Sequence, residues 1–193
     1  MTELTERAGC KSRRRARGAI LGAVSLSIFL APAAALAQLS VTTIGATEAR
    51  ACYENAANAL STDTGPCDTA LRNRATTRDD RLKTLVNRGV ILNRAENMDA
   101  ALDDFNAALA MDGDSAEAYL NRGNAWFRLL RYEDALTDYQ SALDYEISKP
   151  WVAWYNIGLV FEATKKPEAA RDAFERAAAL NPDFALAAAK LAR

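Results

Sequence analysis

The chain has 193 residues, half of them apolar and a quarter charged, with a formal net charge of −1 and no histidine. Without histidine there is no Ser-His-Asp arrangement, no Cys-His pair and no His metal ligand, and neither a P-loop nor a Gly-rich phosphate turn occurs. Carboxylate pairs such as Asp103 with Asp104 and Glu133 with Asp134 are read as solvated surface of helices.

Residues 11–17, "KSRRRAR", form a basic stretch, and residues 18–36 carry no charge. The apolar run "AILGAVSLSIFLAP" followed by "ALA" at 35–37 reads as a secretory signal peptide, with Gln38 as the new N-terminus. A membrane anchor is the alternative, but Pro32 and the Ala-rich cleavage site favour removal. The residues expected after a twin-arginine motif are missing, which leaves the general secretory route ahead of it. The reading places the protein in the periplasm of a Gram-negative bacterium. Residues 1–37 hold six Lys/Arg against two Asp/Glu, so the remainder is net −5. That balance argues against nucleic acid, whose binding rests on cationic neutralisation of phosphates. No metal or cofactor is implied.

Residues 38–45 form a short N-terminal segment. Over 46–81 a helix in "ATEARACYENAANAL", the loop "STDTGP" and a second helix in "CDTALRNRA" form a degenerate hairpin with Ala70 at a small position. Cys52 and Cys67 are the only cysteines beyond residue 37, and an even count in an oxidising compartment is most simply a disulfide. Chain-entropy estimates give about 3 kcal/mol for closing a loop of 15 residues.

The rest repeats. Gly89, Gly123 and Gly158 are 34 and 35 residues apart, and so are Ala101, Ala135 and Ala170, and Phe105, Tyr139 and Phe174. Periods of this length mean stacked supersecondary units. In the middle copy Tyr119, Arg122, Gly123 and Trp126 share one helix face, and Ala135, Tyr139 and Ala142 share another, with "LLRY" at 129–132 as the turn. Gly123 and Ala135 are small so that two helices approach closely. Asp114, with Glu117 three residues on, is expected to cap the second unit, and Pro150 to open the third. Asn181-Pro182 closes that unit, and a final helix in "DFALAAAKLAR" covers the end of the stack.

The pattern resembles the tetratricopeptide repeat: large residue, small residue, large residue, then Ala, aromatic, Ala and often Pro. The third copy fits best, with Trp154, Gly158, Phe161, Ala170, Phe174, Ala177 and Pro182. The resemblance covers roughly residues 82–193, with repeats at 82–115, 116–150 and 151–182 and a capping helix at 183–193. It implies an all-α, right-handed α-solenoid of helix–turn–helix repeats behind the N-terminal signal helix, its first helices lining a concave groove. The implied function is a non-catalytic protein–protein interaction module or scaffold of the cell envelope, binding a peptide or helix of another protein.

The groove positions implied are Val86, Asn87, Val90 and Arg94 in the first repeat, Leu120, Asn121, Asn124, Phe127 and Arg128 in the second, and Tyr155, Asn156 and Leu159 in the third. Asn87, Asn121 and Asn156 form a ladder able to pair with a partner backbone, or alternatively to space neighbouring helices. The apolar positions supply a floor, and Arg94 and Arg128 an edge that favours an acidic partner. The segment 38–45 is an alternative cover for the floor. Some relatives hold a C-terminal carboxylate with a Lys and an Asn at the positions of Val86 and Val90, so that clamp is not implied here, although Asn121 matches its middle member. A self-assembling structural protein, and an accessory or carboxylate-dependent enzyme acting on envelope polymers, are the competing functional readings.

Overall fold

A computed structural model describes residues 47–192, and the leader reading and the segment 38–45 lie outside them. The described residues are helical, with no strand. They run as α1 (47–57), α2 (Gly65–Arg72), α3 (Arg78–Arg94), α4 (Met98–Met111), α5 (Ala116–Arg128), α6 (Tyr132–Asp144), α7 (Pro150–Ala163), α8 (Pro167–Leu180) and α9 (Ala185–Leu191). None is long and apolar enough to cross a membrane.

Each repeat closes through the same contact. The ring of Phe105 lies on Gly89, that of Tyr139 on Gly123 and that of Phe174 on Gly158, so closely that an added Cβ would sit 2.6, 2.7 and 2.4 Å from the ring carbons. The small residue is therefore the seat of an aromatic on the partner helix, and Phe105 and Tyr139 are almost wholly buried there. Hairpins α3–α4, α5–α6 and α7–α8 result, and α9 packs on α8.

The turns repeat as well. Glu96, Leu130 and Lys165 each adopt a left-handed backbone, with φ of 64°, 60° and 58°. The amide one residue later reaches back to close the helix: Asn97 to the Leu92 carbonyl at 3.0 Å, Arg131 to Trp126 at 2.9 Å and Lys166 to Phe161 at 2.8 Å. This six-to-one bond satisfies carbonyls that a helix end otherwise leaves open. Glu146 makes the same turn between repeats, with φ of 56° and Ile147 bonded to Ala142 at 3.0 Å.

Two helix starts differ from the sequence reading. Thr77 caps α3 by accepting from the Asp80 amide at 3.1 Å, so that helix begins four residues ahead of position 82. The residue at the cap of α5 is Ser115, not Asp114, and its side chain makes no capping bond; Asp114 is left on the surface. At the N-terminal end Cys52 and Cys67 are bridged, with Cα atoms 4.7 Å apart, and both pack with Ile91 of α3 in a buried cluster.

Candidate functional site

First helices α3 and α5 touch each other, as do α5 and α7, with no comparable contact between second helices. The first helices therefore take the tighter, inner side of the curve. At the mouth of that side lies a cavity of about 680 Å³ between α1, α3 and the start of α5. Its floor includes Leu82, Val86 and Ala116, and Tyr53 and Tyr145 stand in its walls. Tyr145 stacks on Tyr119 with ring centroids 5.6 Å apart and planes 12° from parallel, and it stays 42% exposed. The Asp114 carboxylate next to the Tyr145 hydroxyl raises that group's pKa.

Of the groove positions read from the sequence, Val86 and Asn87 line this cavity. Val90 and Leu120 are half-buried and spend their apolar surface on core clusters shared between adjacent repeats. Asn121 donates to the Glu117 carbonyl of its own helix at 2.8 Å. Asn156 donates to Asn124 Oδ1 at 2.8 Å, and the same oxygen accepts from the Tyr139 hydroxyl at 2.9 Å. Through Asn124, Asn156 thus joins two adjacent first helices and the buried aromatic of the second repeat, and of the three ladder amides it is the one placed in the helix-spacing role. Phe127 packs on Tyr132, and Tyr155 sits between Phe174 and Phe184 with centroids 5.5 and 5.3 Å away. Leu159 is half-buried on α7.

The two arginines differ most from expectation. Arg94 turns away from the groove rim to gather the Asn58, Ser61 and Ala56 carbonyls at 2.7, 2.6 and 2.8 Å, where α1 ends. A cation there meets the open carbonyls and the negative end of the helix. Arg128 contacts the Asn93 carbonyl and pairs with Glu96 at 3.3 Å. The preference for acidic partners rested on both being free, and neither is. The cavity has the opposite sign: Asp79, Asp80, Asp112, Asp114, Glu117 and Glu146 line it, against Arg50 and Lys83.

A second correction concerns the outer carboxylates. Asp103 and Glu133 are exposed, but Asp104 is 4% exposed and accepts from Arg88 Nε and Nη2 at 2.8 and 2.7 Å. Arg88 also reaches Asp68 of α2 at 2.7 Å, tying the N-terminal unit to the first repeat. Hydrogen bonding to Asp104 raises the Arg88 pKa further, so the guanidinium is charged at every accessible pH. The sequence reading missed these pairs. Their signal was present, since Arg88 and Arg122 each precede the repeat glycine and Asp104 and Asp138 each precede the repeat aromatic.

The tetratricopeptide repeat pattern matches residues 151–184, and a second form of it matches residues 86–150. The chain is a tetratricopeptide-repeat protein. Solved structures share the fold. A crystal structure of MamA superposes with a TM-score of 0.55 at 25% identity, over 66% of this chain and 75% of that one. Pseudomonas aeruginosa pilF superposes at 0.62 with 23% identity, over 82% of this chain and 67% of that one. The first tetratricopeptide domain of Spaghetti (RPAP3), bound to the HSP90 peptide SRMEEVD, superposes at 0.54 with 24% identity, over 57% of this chain and 87% of that one. No curated protein matches the chain in sequence.

Proposed function

We propose that this tetratricopeptide-repeat protein is an exported interaction module, without chemistry of its own, that holds a segment of another protein on its concave side in the periplasm of a Gram-negative cell. The observation that carries the reading is the cavity at the mouth of the stack, walled by exposed tyrosines and set on a rigid, repeated frame. A cavity of that volume with an apolar floor suits side chains of a docked segment. The binding of a peptide by the related RPAP3 domain supports the same use of the fold. The leader-like start of the sequence and the disulfide support export. No group of three or more Cys, Asp or Glu able to hold a metal ion occurs among the described residues.

A photo-crosslinking amino acid placed at Asn87 in living cells, and in parallel at exposed Asp103 on the outer side, tests the proposal. Crosslinks to one defined protein from position 87 and none from 103 are the expected result. Capture from position 103 alone would move the functional surface to the convex side, and crosslinks only between copies of the chain would favour self-assembly. Release of a protein beginning at Gln38 into the periplasmic fraction checks the export reading.

A further inference from the structure

The proposed groove leaves the chemistry of the docked segment open, and the cavity narrows it. An apolar floor and two exposed tyrosines, Tyr53 at 61% and Tyr145 at 42%, offer contact surface to an aliphatic or aromatic side chain. Around that floor the charge is one-sided. Both cations of the lining are engaged, Lys83 by Asp79 at 2.7 Å and Arg50 by Glu54 at 3.0 Å. Asp112, Asp114, Glu117 and Glu146 are exposed and make no direct ion pair among the described residues, Lys83 feeling Glu117 only at longer range. They come from the start of α5 and from two different inter-repeat loops, and the fold sets them around one opening. Six carboxylates against two cations around a partly enclosed apolar surface repel an acidic segment and attract a basic one.

We propose that the cavity between α1, α3 and α5 takes a basic polypeptide segment, an apolar or aromatic side chain of which packs between Tyr53 and Tyr145 while neighbouring Lys or Arg side chains pair with Asp112, Asp114, Glu117 and Glu146. The assignment rests on the groove being the partner site. It reverses the sign of partner suggested by Arg94 and Arg128, whose guanidinium groups are spent on carbonyls and on Glu96.

The test uses the full chain and two labelled peptides, one of Leu, Tyr and Lys and one with Glu in place of every Lys, read by fluorescence anisotropy. The lysine peptide should bind and the glutamate peptide should not. Glu117→Gln with Glu146→Gln should weaken the lysine peptide about fivefold to tenfold, as the loss of two exposed ion pairs implies, and should flatten its salt dependence. Tyr53→Ser should weaken it without changing that dependence. Equal or tighter binding of the glutamate peptide, still sensitive to Tyr53→Ser, would overturn the basic assignment and leave the groove reading standing. Lysine-peptide binding indifferent to all these substitutions, or no binding of either peptide, would also overturn it; the crosslinking at Asn87 then judges the groove separately.

Discussion

Arg122 holds both carboxylate oxygens of Asp138, through Nε and Nη2, each at 2.8 Å. The same fork joins Arg88 to Asp104 one repeat earlier, sixteen residues apart in both cases. In the third repeat both partners change together: Ile157 precedes the glycine, Ala173 precedes the aromatic, and the two lie in one apolar cluster. An almost fully buried carboxylate is tolerated only with its partner, whereas an apolar pair fills the same place without one. Arg122→Ile alone should therefore cost about 3 kcal/mol, the order expected when a buried pair is broken from one side. Arg122→Ile with Asp138→Ala, which copies the third repeat, should recover most of that loss in urea unfolding.

Gly123 supports a sharper contrast. A Cβ there would stand 2.7 Å from the Tyr139 ring, which is 1% exposed and also holds Asn124 through its hydroxyl. Gly123→Ala should destabilise by about 1–3 kcal/mol, because the ring has nowhere to retreat. Gly113, with nothing within 4 Å of its added Cβ, is the control. Gly113→Ala should be neutral or mildly stabilising, since it restricts the unfolded chain.

The turns supply a stabilising substitution. Leu130 is 68% exposed and takes φ of 60°, so its side chain gains little burial while its backbone sits where Cβ is crowded. Leu130→Gly should stabilise by about 0.5–1 kcal/mol, the relief at the left-handed position less the added freedom of the unfolded chain. A rise in the thermal midpoint checks it.

The repeat was legible because one contact, aromatic on glycine, is written three times at nearly constant spacing, and helical periodicity follows from the face that buries it. The fates of Arg94 and Arg128 were not legible. A long cationic side chain reaches carbonyls more than thirty residues away, and which ones it meets depends on how the N-terminal unit docks. Asp104, by contrast, was legible: it lies three residues after Ala101 and four before Ala108 on the buried face of α4, while its neighbour Asp103 falls outside that face and is exposed. The cavity was half legible. Val86 and Asn87 fall on it by helix position, but Tyr145, Glu146 and Asp112 come from loops whose path no periodicity describes.

The bridge between Cys52 and Cys67 ties α1 to α2 within the N-terminal unit, and arginines of α3 hold that unit in place: the Arg94 clasp on the end of α1, Arg81 on the Leu71 and Asn73 carbonyls, and the pair between Arg88 and Asp68. Its apolar contribution is small, with Ile91 and Ala56 around the two sulfurs, so these links carry much of its docking. Removing the bridge by Cys52→Ala with Cys67→Ala should cost about 2–4 kcal/mol, chiefly by freeing the unfolded chain. Arg94→Ala should cost about 1–3 kcal/mol by leaving the α1 carbonyls unpaired. Both changes act on one cooperative unit, so the combined variant should lose less than their sum, as the second change finds α1 already released. Amide exchange in α1 and α2 should rise to the level of an open segment in the combined variant, while α5–α8 stay protected. Strict additivity, with α1 exchanging no faster than in either single variant, would show instead that the bridge and the clasp stabilise separate parts of the stack.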